Sequence, residues 1–227
     1  MKKFVIALGG SLLFQEKIDT AFLRKFYEFI IRQTKKNIKF IIIIGGGKIT
    51  RDYQKSAQKI CQVSDSDKDW IGIHATRLNA HLVRAVFKKQ ANPVIFEQRF
   101  KIKKFGKYDI IIGAGWKPGW STDFVAAQIA VDFNIGKVII LGKPDYVYDS
   151  DPRENTGAKP IKKITWQDYL KIIPKKWSPG LHSPVDPVAS KLAQKKDLKI
   201  SLAYGRDLKN LENILEDKKF KGTVLSN

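Results

Sequence analysis

Three apolar runs in this chain each stop at glycine, and that recurrence narrows the fold more than any other feature. Phe4-Val5-Ile6-Ala7-Leu8 runs into Gly9-Gly10-Ser11, Lys39 to Ile44 into Gly45-Gly46-Gly47-Lys48, and Asp109 to Ile112 into Gly113-Ala114-Gly115. None of the runs alternates polar with apolar, as a strand buried on both faces would not. Glycine after such a strand allows a tight turn and a close approach of backbone or ligand.

Helical patterns fall between the strands. Ile18 to Lys36 carries Ile18, Phe22, Phe26 and Ile30 on one face, with Asp19 or Thr20 placed to cap it. A second helix is expected near Thr50 to Cys61. A third is expected over Thr76 to Lys89, with Leu78, Leu82, Val83 and Val86 as its apolar stripe. Pro93 to Phe96 reads as a short strand, Ser121 to Phe133 as a helix and Lys137 to Leu141 as a strand. Helices over Thr165 to Ile173, Pro187 to Lys195 and Leu208 to Leu215 follow, with strands at Lys199 to Ala203 and Thr223 to Leu225. Alternation of this kind predicts an α/β fold, a three-layer αβα sandwich around a mostly parallel sheet. Ligands of such sheets bind beyond the carboxyl ends of the strands, where the glycine turns lie.

The 227 residues carry 42 Lys+Arg against 22 Asp+Glu, a formal charge of +20. That balance favours anionic partners, whether nucleotides, nucleic acid or an anionic membrane surface, without choosing among them. The basic residues are spread through the chain and form no tail, so a solvated basic surface remains the plainer reading. One cysteine, Cys61, excludes an internal disulfide. The longest apolar run, Phe40 to Ile44, is far too short for a membrane span. The N-terminus lacks the pattern of a secretory signal, and a cytoplasmic protein is expected.

Glycine turns that lead into helices gather unpaired backbone N–H groups at one point, which suits phosphate. Lys48 and Arg51 add full charges beside the third glycine of the second turn. Neither G-x-x-x-x-G-K-[ST] nor G-x-G-x-x-G occurs, so the chain carries neither a Walker loop nor a dinucleotide fingerprint. Two further segments stand out. In Trp116-Lys117-Pro118-Gly119-Trp120-Ser121-Thr122-Asp123, Ser121 or Thr122 can cap a helix, and the tryptophans could stack on a base or simply pack. Lys143 to Pro152 holds Asp145, Asp149 and Asp151, which could orient a magnesium–phosphate complex or a lysine, contact a ribose, or simply form an acidic turn. His74 and His81 share a helical face but lack a third ligand, His182 stands alone, and no metal site is expected.

Taken together the motifs resemble the amino-acid-kinase superfamily, most closely its archaeal-type UMP kinases. The resemblance is carried by Ala7 to Ser11, Ile44 to Lys48, Gly72 to Ala80, Pro118 to Ala127, Asp145 to Pro152 and Ser183 to Lys191, in family order over nearly the whole chain. It implies a single domain, 1–227, with an acceptor-nucleotide half at about 1–135 and an ATP half at about 136–227. It further implies transfer of the γ-phosphoryl of ATP to UMP, with Mg2+ as cofactor, in a homo-oligomer that is a hexamer in the family. By position, Gly10, Ser11, Gly47, Arg51, Gly142, Lys143, Tyr148 and Asp151 would hold ATP. Gly46, Asp69, Trp116, Lys117, Pro118, Gly119, Trp120, Ser121 and Thr122 would hold UMP. Lys48, Arg51 and Asp145 are the candidate catalytic residues; many relatives carry a first-strand lysine where Ala7 and Leu8 stand here, which shifts electrostatic load to Lys48. A sister kinase with another acceptor, or a degenerate nucleotide- or polyanion-binding homologue, remains the competing reading.

Overall fold

A computed structural model describes residues 1–152, 154–178 and 183–227; His182 lies outside the described residues. The chain runs β1 (Lys2–Leu8), α1 (Gly10–Leu13), α2 (Thr20–Thr34), β2 (Ile38–Ile44), α3 (Lys48–Ile60), α4 (Asp65–Val86), β3 (Ile110–Gly113) and α5 (Thr122–Asp132). It continues through β4 (Lys137–Gly142), β5 (Val147–Tyr148), β6 (Pro160–Ile161), β7 (Lys163–Thr165), α6 (Trp166–Ile172), α7 (Pro187–Lys195), β8 (Lys199–Tyr204), α8 (Leu208–Leu215) and β9 (Thr223–Ser226).

Seven strands form one sheet in the order β3-β2-β1-β4-β8-β9-β7, while β5 and β6 pair separately. All neighbours in the large sheet are parallel except β8 and β9. Register sets Leu8 level with both Ile44 and Leu141, so β1, β2 and β4 end within one residue of each other. The chain moves outward from β1 through β2 to β3 and then returns to β4 on the other side of β1. The strand order therefore reverses beside β1, the place where open sheets of this kind leave a crevice.

Strand side chains alternate between two core layers. Ile6, Leu8, Phe40, Ile42 and Ile44 meet Phe26 and Ile30 of α2, Val83 of α4 and Leu211 of α8. Val5, Ala7, Ile41, Ile43 and Ile111 meet α5, with Trp166 and Tyr169 of α6 and Ala189 of α7. Burying each large side chain contributes about 1.5–3 kcal/mol, which is why the unalternating runs settle in the middle of the sandwich. Among the described residues no helix is long and apolar enough to cross a membrane.

Several expectations need correction. Pro93 to Phe96 is not a strand. Asn92 Oδ1 accepts the Val94 N–H at 2.9 Å and bends the chain after a proline that has no N–H to give. Only single bridges, Ala91 to Ile110 and Phe96 to Gly113, touch the sheet there. The helix expected from Thr76 begins at Asp65, capped by Ser64, whose hydroxyl accepts the Asp67 N–H. Leu78 is 62% exposed; the buried face is Ile73, Thr76, Asn79, Ala80 and Val83. Ile18 precedes α2 and is exposed, and Asp19 caps that helix.

Candidate active site

The turns after β1 and β2 interlock. A Cβ on Gly10 would lie 2.3 Å from both the Gly45 carbonyl oxygen and the Gly47 nitrogen, and Gly47 itself has φ +75°. Only glycine permits that approach and that backbone angle. Asn79 of α4 holds the second turn from behind, its Nδ2 donating to the carbonyls of Gly45 and Gly46 at 3.0 Å each. The first turn is tied across the strand-order reversal by the Gly9 N–H, which donates to Leu141 O at 2.8 Å.

Beyond the ends of β2 and β3 lies a cleft of about 260 Å³. Gly46, Gly47, Arg51, Asp69, Trp120, Ser121 and Thr122 all line it, which brings together seven of the residues expected to hold nucleotide. Gly47 is the N-cap of α3, so that helix starts at the cleft and presents its first amides and its positive end there. Asp69 accepts the Gly119 N–H at 2.7 Å and so holds the loop before α5. Thr76 Oγ1 accepts the Gly115 N–H at 2.9 Å and donates to Ile73 O at 2.6 Å, fixing the end of β3.

The other expected residues stand elsewhere. Lys48 is outside the cleft lining and gives its ammonium to Asp52 at 2.6 Å, because i,i+4 spacing sets the two on one face of α3. Trp116 is 6% exposed, its Nε1 donating to Phe96 O at 3.1 Å, so this indole packs in the core. Lys117 lies over the Trp120 ring at 4.1 Å, and the Phe124 ring meets Trp120 at 4.6 Å. Pro118 and Gly119 form the turn between the tryptophans, with Gly119 at φ +81°. Gly10 and Ser11 lie in α1 against Gly47. At the end of β4, Gly142 O accepts the Gly205 N–H and Lys143 is exposed. The Tyr148 hydroxyl donates to Asp145 at 2.8 Å, and the Asp151 carbonyl accepts from the Asn155 N–H at 2.8 Å. His74 and His81 are exposed on α4, where the His74 ring meets Trp70.

Asp123 and Asp186 were not singled out by the sequence reading, although both lie within quoted motifs. Asp186 caps α7 by accepting from Val188 N and Ala189 N, and it also receives the Ser121 hydroxyl, which joins the starts of α5 and α7. Burial and the nearby charge of Asp186 push the Asp123 carboxyl up to about 8. Burial likewise raises Asp186, against the hydrogen bonds it accepts. Burial is the larger cause for both, and for Asp123 the neighbouring carboxylate adds to it.

The comparisons agree with this geometry. The model of the amino acid kinase family matches residues 2–203. A uridylate kinase of Thermococcus kodakarensis is 31% identical over 228 residues, 98% of this chain and 99% of its own length. One from Methanosarcina barkeri is 32% identical over 226 residues, covering 98% of this chain and 95% of its own. The crystal structure of uridylate kinase from Archaeoglobus fulgidus superposes with a TM-score of 0.80 at 27% identity and covers both chains fully. A glycine-walled cleft at the strand ends, a matching family model and full-length relatives lead to one conclusion: this chain belongs to the amino acid kinase family.

Proposed function

We propose that this protein transfers the γ-phosphoryl group of ATP to UMP, giving UDP and ADP. The observation that carries the proposal is the meeting of Gly46, Asp69, Trp120, Ser121 and Thr122 in one cleft with Gly47 and Arg51. The first five are the acceptor positions implied by the resemblance; the last two are donor positions. Their juxtaposition supports a reading in which two phosphates would face each other at the start of α3.

The chemistry needs no side-chain nucleophile. An acceptor phosphate oxygen is already anionic. It forms the new bond to the γ-phosphorus as the bond to the β,γ-bridging oxygen breaks, and ADP leaves with that electron pair. What the protein must supply is alignment and relief of charge repulsion. The α3 amides and Arg51 do the second, and Asp69 does the first by holding the loop at Gly119. The turn of Gly10 and Ser11 against Gly47 would take the triphosphate, with Gly142, Lys143, Tyr148 and Asp151 toward the nucleoside.

Among the described residues no group of three or more His, Cys, Asp or Glu is set to hold a metal. Mg2+ would enter on the triphosphate, coordinated mainly by phosphate oxygens and water, and would neutralise charge there. The protein would work in the cytoplasm as a homo-oligomer, up to the hexamer of the family. Exposed Tyr53 and Ile60 on α3 and Trp70 and Leu78 on α4 support an interface between copies.

A coupled assay for ADP with UMP, CMP, dUMP and non-nucleotide acceptors tests the proposal. Turnover highest with UMP is expected; no turnover above background with any mononucleotide would refute it.

A further inference from the structure

We infer that Trp177 is a substrate-contacting residue of the cleft, its indole N–H donating to an oxygen of the bound acceptor nucleotide. The inference rests on the acceptor-site reading above. Among the described residues lining the cleft, Trp177 is the one that lies beyond α5 in the chain. It follows α6, whereas the rest lie in the turn after β2, on α3 and α4, in the loop after β3 and at the start of α5.

The buried indoles of this protein otherwise have partners. Trp116 Nε1 donates to Phe96 O and Trp166 Nε1 donates to Leu198 O at 2.9 Å. Trp177 Nε1 is shielded from solvent and meets no acceptor among the described residues. An indole nitrogen can only donate, so it is satisfied only when an acceptor atom reaches it. Leaving such an N–H buried and unpaired costs about 1–3 kcal/mol, a cost that a fold retains where a ligand completes the bond.

Thr50 gives the same indication independently. Its Oγ1 is shielded, has no partner among the described residues, and lines the same cleft. Neighbouring polar side chains are already engaged. Gln54 donates to Lys68 O at 2.8 Å, Asp69 accepts from Gly119, and Ser121 donates to Asp186. Two orphaned polar atoms thus share a cleft with the Arg51 guanidinium. The ligand that satisfies all three presents several oxygen acceptors, as a nucleoside monophosphate does through its phosphate and its pyrimidine carbonyls.

Trp177→Phe keeps a flat apolar ring and removes the donor. Steady-state kinetics should show KM for UMP raised about tenfold, with KM for ATP and the melting temperature unchanged. Titrations of wild type and variant with UMP, uridine and inorganic phosphate identify the oxygen. Weakening toward UMP and phosphate assigns the bond to the phosphate; weakening toward UMP and uridine assigns it to the nucleoside. Equal UMP affinity in variant and wild type overturns the inference. In wild-type protein the Trp177 indole N–H resonance should move downfield with UMP, a readout that does not depend on how the variant folds; an unmoved resonance also overturns it. Should wild type itself fail to phosphorylate UMP, the acceptor reading fails instead, and the two failures are distinct.

Discussion

Asp69 and Gly119, fifty positions apart, meet at 2.7 Å, with the α4 carboxylate accepting the amide hydrogen of the loop before α5. One side chain thereby holds together two walls of the cleft. Asp69→Ala should raise KM for UMP by tenfold or more, as expected when a charged acceptor is lost from a positioning contact (~1.5–3 kcal/mol). The melting temperature should fall as well, because the same hydrogen bond holds the folded loop, while the core layers stay intact. A separate determination of KM for each substrate checks this, since a general loss of structure would move both.

Arg51 lines the cleft, while Lys48 is paired with Asp52 outside it. Arg51→Ala should therefore lower kcat/KM by about a hundredfold, the scale set by losing a fixed cation from a transition state that spreads negative charge. Lys48→Ala should cost clearly less. The pair it breaks is half-exposed and worth about 0.3–0.5 kcal/mol in stability. Parallel kinetics on the two variants decides the order.

Asn79 is 5% exposed and serves two carbonyls with one amide. Asn79→Ala removes the donor from both carbonyls, the buried one of Gly45 and the part-buried one of Gly46, and should destabilise the fold by about 2 kcal/mol. Activity should fall with it, because the Gly45 to Gly47 turn loses its backing. Urea denaturation, read as a shift in midpoint at constant slope, measures the effect.

Asp123, whose ordinary value is 3.8, is held protonated up to about 8 in the folded chain. Over that window the folded state binds a proton that the unfolded chain has released. This group's contribution to stability is complete below about 3.8, declines as pH rises, and is gone above about 8. Asp123→Asn cannot ionise and removes that slope. Melting curves across pH 5 to 9 should show the variant gaining on wild type as pH rises, by at least about 1 kcal/mol at the alkaline end.

The sandwich was legible from the sequence where strands are buried on both faces. Val5, Ile6, Ile41 and Ile42 have no polar alternation to confuse, and glycine marks where each strand stops. The start of α4 was not legible, because Asp65, Asp67 and Asp69 interrupt any apolar stripe. The buried face of that helix was misassigned for a related reason: Thr76 and Asn79 are polar, and the exposed Leu78 beside them imitates a core position. Their burial makes sense only once the turns they support are in place. Asp123 and Asp186 had a weaker signal, helix-start position within a motif. Trp177 had none, since it belongs to no periodic element. The antiparallel pairing of β9 with β8 also leaves no trace in a strand of four residues.

α3 buries none of its own residues and rests chiefly on α4. Its amides can consequently open to deuterium while the central sheet stays closed. A nucleotide that engages Gly47, Thr50 and Arg51 grips the helix from its outer end, so its order is lent by the cargo: slow exchange when loaded, fast when empty.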